Sequence, residues 1–269
     1  MKSILITGLI ASSIICNPAQ ALISTSNHSN AIPAFAGEMN DKNFVQASDN
    51  KSQIIVSAKY EKLQKEIAEQ KQREERRLEE ERKKQEEQLE IQRKASVKFN
   101  PYDVTVKSNI KTDELKNVLK HTKGGSGLIP YASYFVEAEH EYGINALFLT
   151  GIAAQESGWG SKPAGDGTNL TGHAVYTKSA RGTVFEGDNP IRTNILDTAK
   201  LIAKDYVKPG AKCWKVSDRN PDKYNGTSIY SINLSYCFYQ DQVTVDFRWS
   251  EDITTIAKNL EKTYHSIEK

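Results

Sequence analysis

Cysteine is scarce in this chain: Cys16, Cys213 and Cys237 are all that 269 residues contain. Three thiols cannot frame a disulfide-built miniprotein, so stability has to come from an apolar core. The apolar stretch from Ile4 to Ile15 is too short to span a bilayer comfortably, and no other stretch does better. A cationic arm is missing as well. Between Ser57 and Ser96 there are 12 basic and 11 acidic residues, and with these and Lys2 set aside the rest holds 23 of each. Phosphate binding needs a clustered basic surface, so nucleic acid is not expected as a partner. His121, His140 and His173 lack metal-ligand spacing, so neither a metal nor a cofactor is expected. Ser157 has no His and Asp in a recognisable triad order.

What is present divides the chain into segments. Residues 1–21 open with Lys2, run through the Ile4 to Ile15 stretch and end in Ala19, Gln20, Ala21, the small-x-small pattern of a signal peptidase site. Cleavage is expected after Ala21, giving a secreted or cell-envelope protein. Ile15 before Cys16 argues against lipidation. The mature chain then keeps Cys213 and Cys237, which are expected to bridge if the compartment is oxidising. Residues 22–56 are rich in Ser, Asn and Ala and read as a disordered spacer. Residues 57–96 lack Gly and Pro up to Ala95 and are dominated by Glu, Lys, Arg and Gln, which predicts one continuous helix about 55 to 60 Å long. Its apolar residues are few: Tyr60, Leu63, Ile67, Leu78 and Leu89. A solvated stalk is favoured over a coiled coil, with self-association or a protein partner through residues 57–96 left open.

Asn100-Pro101 breaks that pattern, and residues 97–128 read as a linker with a short helix at Lys111 to Leu119. The folded domain is expected over 129–269, with helices from Pro130 to Glu141, Ile144 to Glu156, Ile191 to Tyr206, Ser228 to Tyr236 and Ser250 to Ile267. Between them the glycine-punctuated stretch Ser161 to Pro190 suggests a strand pair, His173 to Tyr176 with Gly182 to Phe185. The class is therefore mainly α, with a small β lobe.

The run Ala153-Ala-Gln-Glu-Ser-Gly-Trp-Gly160 places one carboxylate where an almost wholly apolar helix ends. Leu149, Ile152 and Ala153 lie seven, four and three residues before Glu156, so its carboxyl falls on an apolar stripe. Desolvation and the negative end of the helix dipole both raise the pKa there, the setting of a general acid for glycosidic bond cleavage. The alternative is a helix-terminal Glu that is solvated or bonded to backbone. Eleven of twelve tyrosines and all three tryptophans follow residue 100, a supply of faces that stack on sugar rings, although at least half should be core.

Six blocks, in order, carry a resemblance: Tyr142-Gly-Ile-Asn145, Ala153 to Gly160, Asn169-Leu-Thr-Gly172, Asp197 to Tyr206, Tyr224-Asn-Gly-Thr227 and Ser235-Tyr-Cys237. Together they resemble bacterial peptidoglycan-hydrolysing glucosaminidase domains, glycoside hydrolase family 73, over about Ile129 to Ile267. The resemblance implies a lysozyme-like α+β fold acting on peptidoglycan glycan strands as an endo-β-N-acetylglucosaminidase. It assigns Glu156 as general acid and Tyr236 as a group near the cleaved bond, or a brace of the groove. Trp159, Asn169, Tyr224 and Tyr230 become expected substrate contacts. Thr171 stands where the family has an aromatic residue. For a second carboxylate Glu186 is preferred over Asp166 and Asp188, because it ends the Thr183 to Phe185 stretch; a solvated loop charge is the alternative. Without a second carboxylate, substrate assistance or a lytic transglycosylase on the same fold remains open, as does a muramidase, and so does a non-catalytic wall-binding or assembly module of a secretion, conjugation or phage apparatus.

Overall fold

The computed structural model describes residues 50–174, 182–218, 220–236 and 246–268. Residues 1–49, with the expected signal sequence, Cys16 and most of the spacer, lie outside them, and so does Cys237. The chain falls into two compact units divided between Arg73 and Glu74.

Helix α1 runs Asn50–Ala95, starting seven residues before the composition suggested. Its surface is exposed from Ser57 onward through the first unit, including Tyr60, Leu63 and Ile67. Pairs such as Lys62 with Glu66 and Arg73 with Glu69 lie one turn apart, at 3.9 and 3.8 Å. Exposed pairs of this kind contribute about 0.3–0.5 kcal/mol each, so the helix rests chiefly on the intrinsic preference of its residues.

Within the second unit the last turns of α1 are clamped. Arg93 donates to both oxygens of Glu90, to both of Glu114 and, at 2.6 Å, to the Asn109 carbonyl. Lys111 reaches Glu90 at 2.9 Å, and Lys94 reaches Glu268 at 2.6 Å. Hydrogen bonds from Arg93 and then Lys111 hold the Glu90 carboxyl down to about 2. The chain then turns inward, burying Val97 and Phe99, and the Phe99 ring stacks on Phe148 at 6.4 Å.

The remaining helices are α2 (Thr112–His121), α3 (Ala132–Tyr142), α4 (Ala146–Ser157), α5 (Pro190–Leu201), α6 (Pro221–Tyr224), α7 (Ile229–Tyr236) and α8 (Arg248–Ile267). A 3₁₀ segment, Gly125–Tyr131, occupies the glycine-rich turn, and a π turn, Ile202–Tyr206, extends α5. The architecture is mainly helical, as the periodicity predicts. Among the described residues no strand forms: the lobe's pairing consists of one antiparallel bridge, Ala164 with Asn169, and the Thr183 N–H donating to the His173 carbonyl at 3.2 Å. Tyr176, in the expected first strand, lies outside the described residues.

Helix α4 is the centre of the unit. Every residue from Ala146 to Ala154 is buried, so it carries apolar groups on all sides rather than along one stripe. Its start is fixed by two buried polar side chains. Asn145 accepts from the Phe148 N–H at 3.1 Å and donates to the Lys98 and Val106 carbonyls. Glu139 accepts from the backbone N–H groups of Ser108, Asn109 and Ala146. Three such bonds compensate the desolvation of a buried carboxylate. Halfway along, Gly151 lets α8 approach: a Cβ there would lie 3.0 Å from Cγ2 of Ile253.

Candidate active site

Helix α4 ends because Gly158 adopts the left-handed conformation, φ +55° and ψ +54°, with its N–H returning to the Ala154 carbonyl. The buried Ser157 hydroxyl donates to the Ala153 carbonyl and accepts from the Gly160 N–H at 2.7 Å, tying the following turn to the helix. This fixes the backbone of Glu156 on a rigid base, with Ile152 and Ala153 fully buried beneath it.

Two elements close on the Glu156 carboxyl. From α8, the Trp249 indole N–H donates to Oε1 at 2.6 Å. From the other side comes the Gly172 turn, so near that a Cβ on Gly172 would stand 2.6 Å from Oε2. Gly172 has φ +68°, which a side chain would also strain. By surface area Glu156 is exposed, so the wholly dry carboxyl expected from the apolar stripe is not what forms. Solvent reaches one flank while protein crowds the carboxyl. That burial pushes its pKa above the ordinary value, and the Trp249 bond offsets part of the rise.

The same indole stacks on Tyr236 of α7, with centroids 5.0 Å apart and planes 28° from parallel. The Tyr236 hydroxyl donates to the Thr171 carbonyl at 3.2 Å, on the residue before Gly172. Glu156, Trp249, Tyr236 and the Thr171-Gly172 turn therefore form one connected set, and the first and third are residues that the sequence nominated.

A buried polar knot beneath the turn holds it in place. Asn194 of α5 accepts from the Leu170 N–H at 2.9 Å and donates to Asn169 Oδ1 and to the Thr171 hydroxyl. Thr171 in turn bonds Thr198, one helical turn further along α5, at 2.7 Å. All four side chains are buried. Asn169 also donates to the His173 and Thr183 carbonyls and accepts from the His173 N–H, so its amide shapes the turn. His173 lies edge-on to Phe185 at 5.7 Å, and burial lowers its pKa against the pull of Asp197.

Among the described residues no side-chain hydrogen bond joins the other nominated residues to the Glu156 carboxyl. Trp159 packs over Gly124, where an added Cβ would be 3.1 Å from the indole. Tyr224 and Tyr230 meet Phe247 in an aromatic group at 5.4 and 6.3 Å, and Lys223 Nζ lies 4.6 Å from the Tyr230 centroid. Tyr230 shares α7 with Tyr236, and Phe247 precedes α8. Glu186, Asp166 and Asp188 are exposed, and no hydrogen bond or ion pair among the described residues joins them to Glu156. Among the described residues no cluster of three or more His, Cys, Asp or Glu could hold a metal ion. Trp249 and Asn194 escaped the sequence reading. The signal that could have found Trp249 is an indole opening an amphipathic helix beside the Ser235-Tyr-Cys237 block.

No known protein-family profile matches the chain. Over 146 residues, 50% of the chain, it is 33% identical to proteins named putative endo-beta-N-acetylglucosaminidase from two strains of Streptococcus pneumoniae. The chain spans about a fifth of the length of those relatives, 22% and 21%. The resemblance of the six blocks to a glucosaminidase domain is thus matched by relatives of that name over half of this chain. Among solved structures it is similar to S. aureus Autolysin E. A catalytic mutant in complex with the disaccharide NAG-NAM has 23% identity, a TM-score of 0.39, and 65% of this chain against 77% of that one covered. The complex with the muropeptide NAM-L-ALA-D-iGLU has 23% identity, a TM-score of 0.40, and 66% and 78% covered.

Proposed function

We propose that the chain is an exported glycoside hydrolase that cleaves peptidoglycan glycan strands as an N-acetylglucosaminidase, with Glu156 as the general acid. The observation that carries this reading is the Glu156 carboxyl itself. It stands at a rigid helix end, open to solvent on one flank, crowded enough for its pKa to be raised, and bonded by an indole N–H. A carboxyl of that kind holds its proton to higher pH than an ordinary one and can deliver it to a leaving glycosidic oxygen. The substrate class follows the block resemblance and the naming of the pneumococcal relatives. Export rests on the pattern at residues 1–21.

In this reading the Tyr236 ring flanks the cleaved bond, and the rings of Tyr224 at the end of α6, Tyr230 on α7 and Phe247 just before α8 offer stacking faces to the glycan. Trp159 supports the turn after α4. Glu186 is the candidate second carboxylate. A lytic transglycosylase is the second reading, favoured by one specific observation: the group assembled around Glu156 contains an acid, an indole and a phenol. One acid/base carboxyl suffices for that chemistry.

The test is digestion of purified sacculi by the wild-type protein and by Glu156→Gln, with mass spectrometry of the released ends. Reducing N-acetylglucosamine ends from wild type and none from the variant support the proposal. Retained cleavage by the variant overturns it, and anhydro ends assign the second reading instead.

A further inference from the structure

The Glu156 carboxyl has two oxygens in different surroundings, and that asymmetry decides how an acid at this position can work. Oε1 is occupied by the Trp249 N–H at 2.6 Å. An indole nitrogen only donates, so the oxygen it bonds acts as an acceptor. Oε2 lies on the side of the Gly172 turn, which approaches so closely that a Cβ on Gly172 would stand 2.6 Å from it.

We infer that Trp249 is a positioning residue for the acid: its N–H fixes Oε1 as the acceptor, so that the transferable proton sits on Oε2 and the leaving oxygen is received on the Gly172 side. This rests on the proposed role of Glu156 and adds to it a direction of proton delivery. The indole is itself held. Its face lies on Tyr236, whose hydroxyl is bonded to the Thr171 carbonyl, and Ser250, the residue after it, is buried with its N–H bonded to Asn233 Oδ1. A hydrogen-bond donor held by a stacked ring and a fixed backbone can keep a carboxyl in one orientation, and misplacement of a catalytic group by about 1 Å can cost about a hundredfold in rate.

The charged and titratable neighbours on the flanking elements leave this arrangement intact. On α8, Asp252 accepts from the Gln155 amide, and Arg248 pairs with Asp246. Beside Gly172, His173 contacts Thr198 and Phe185, with Asp197 nearby. On α7 the Tyr236 hydroxyl is directed at Thr171. Among the described residues none of these forms an ion pair with Glu156.

The test uses Trp249→Phe, which retains an aromatic face and deletes the donor. Because the indole bond favours the ionised carboxylate, its loss raises the Glu156 pKa, and the alkaline limb of kcat/KM on soluble glycan fragments should move up by about one pH unit. With orientation lost, kcat should fall by about tenfold or more while KM stays within about twofold. An unmoved pH profile, or a rise in KM alone, overturns the inference and makes Trp249 a stacking surface. A second measurement needs no folded Trp249 variant. Tryptophan emission of the wild-type protein should titrate as Glu156 gains its proton, and that step should vanish in Glu156→Gln; an identical titration in both overturns the inference. Cleavage by Glu156→Gln defeats the proposed function itself, which separates the two failures.

Discussion

The indole nitrogen of Trp249 and Oε1 of Glu156 are 2.6 Å apart, although 93 positions separate the two residues in the chain. The close approach of α4 and α8 makes the bond possible, and Gly151 makes that approach possible: its missing side chain leaves space for Ile253. One glycine in the middle of a buried helix thus sets where the last helix lies, and with it where the indole reaches the carboxyl.

Glu156→Gln should be more stable than wild type at neutral pH. The folded protein raises the Glu156 pKa, so between the ordinary value of 4.5 and the raised one the native state binds more protons than the unfolded chain. Stability therefore falls as pH rises through that window. A neutral amide does not titrate and escapes the fall. Chemical denaturation at pH 7 and again below the ordinary carboxylate range checks this: the advantage of the variant should be present at the first and absent at the second.

Gly172→Ala should remain folded and lose most of its activity. A methyl group there would come within 2.6 Å of Oε2, and φ +68° adds about 1 kcal/mol of backbone strain. Thermal unfolding should show a modest drop, while cleavage of sacculi falls by more than about tenfold. Full activity would mean that Oε2 is not where the glycan is met.

Asn194→Ala should cost about 1–3 kcal/mol, because the Leu170 N–H loses its acceptor and the Asn169 and Thr171 oxygens lose their donor in a buried place. Combined with Thr171→Val the loss should be less than additive, since both substitutions dismantle one network. Urea unfolding of the two single variants and the double variant measures the coupling.

Most of the helical framework was legible because helix periodicity is local. The apolar run ending at Gly158, the amphipathic pattern before Ile267 and the absence of Gly and Pro before Ala95 each specify an element without knowledge of its neighbours. The place of Glu156 at the end of a buried helix was legible for the same reason. What holds the Asn169 to Gly172 turn was not legible: its side-chain bonds join Asn169, Thr171, Asn194 and Thr198, and the two on α5 arrive from over twenty residues away. Thr171 shows the difference clearly. In sequence it is a departure from an aromatic position; in the fold it is a buried hydroxyl with two partners. Trp249 was invisible as a site residue because its contact with Glu156 is a matter of tertiary packing alone.

The clamp at the end of α1 has one more consequence. Arg93 holds Glu114 at the start of α2, and Lys94, the next residue, holds Glu268 just beyond α8. Two neighbouring cations thus knot a segment from early in the unit to one from its close. Fraying at either end would have to break the other's ties as well, so these three helix termini should melt in a single cooperative step.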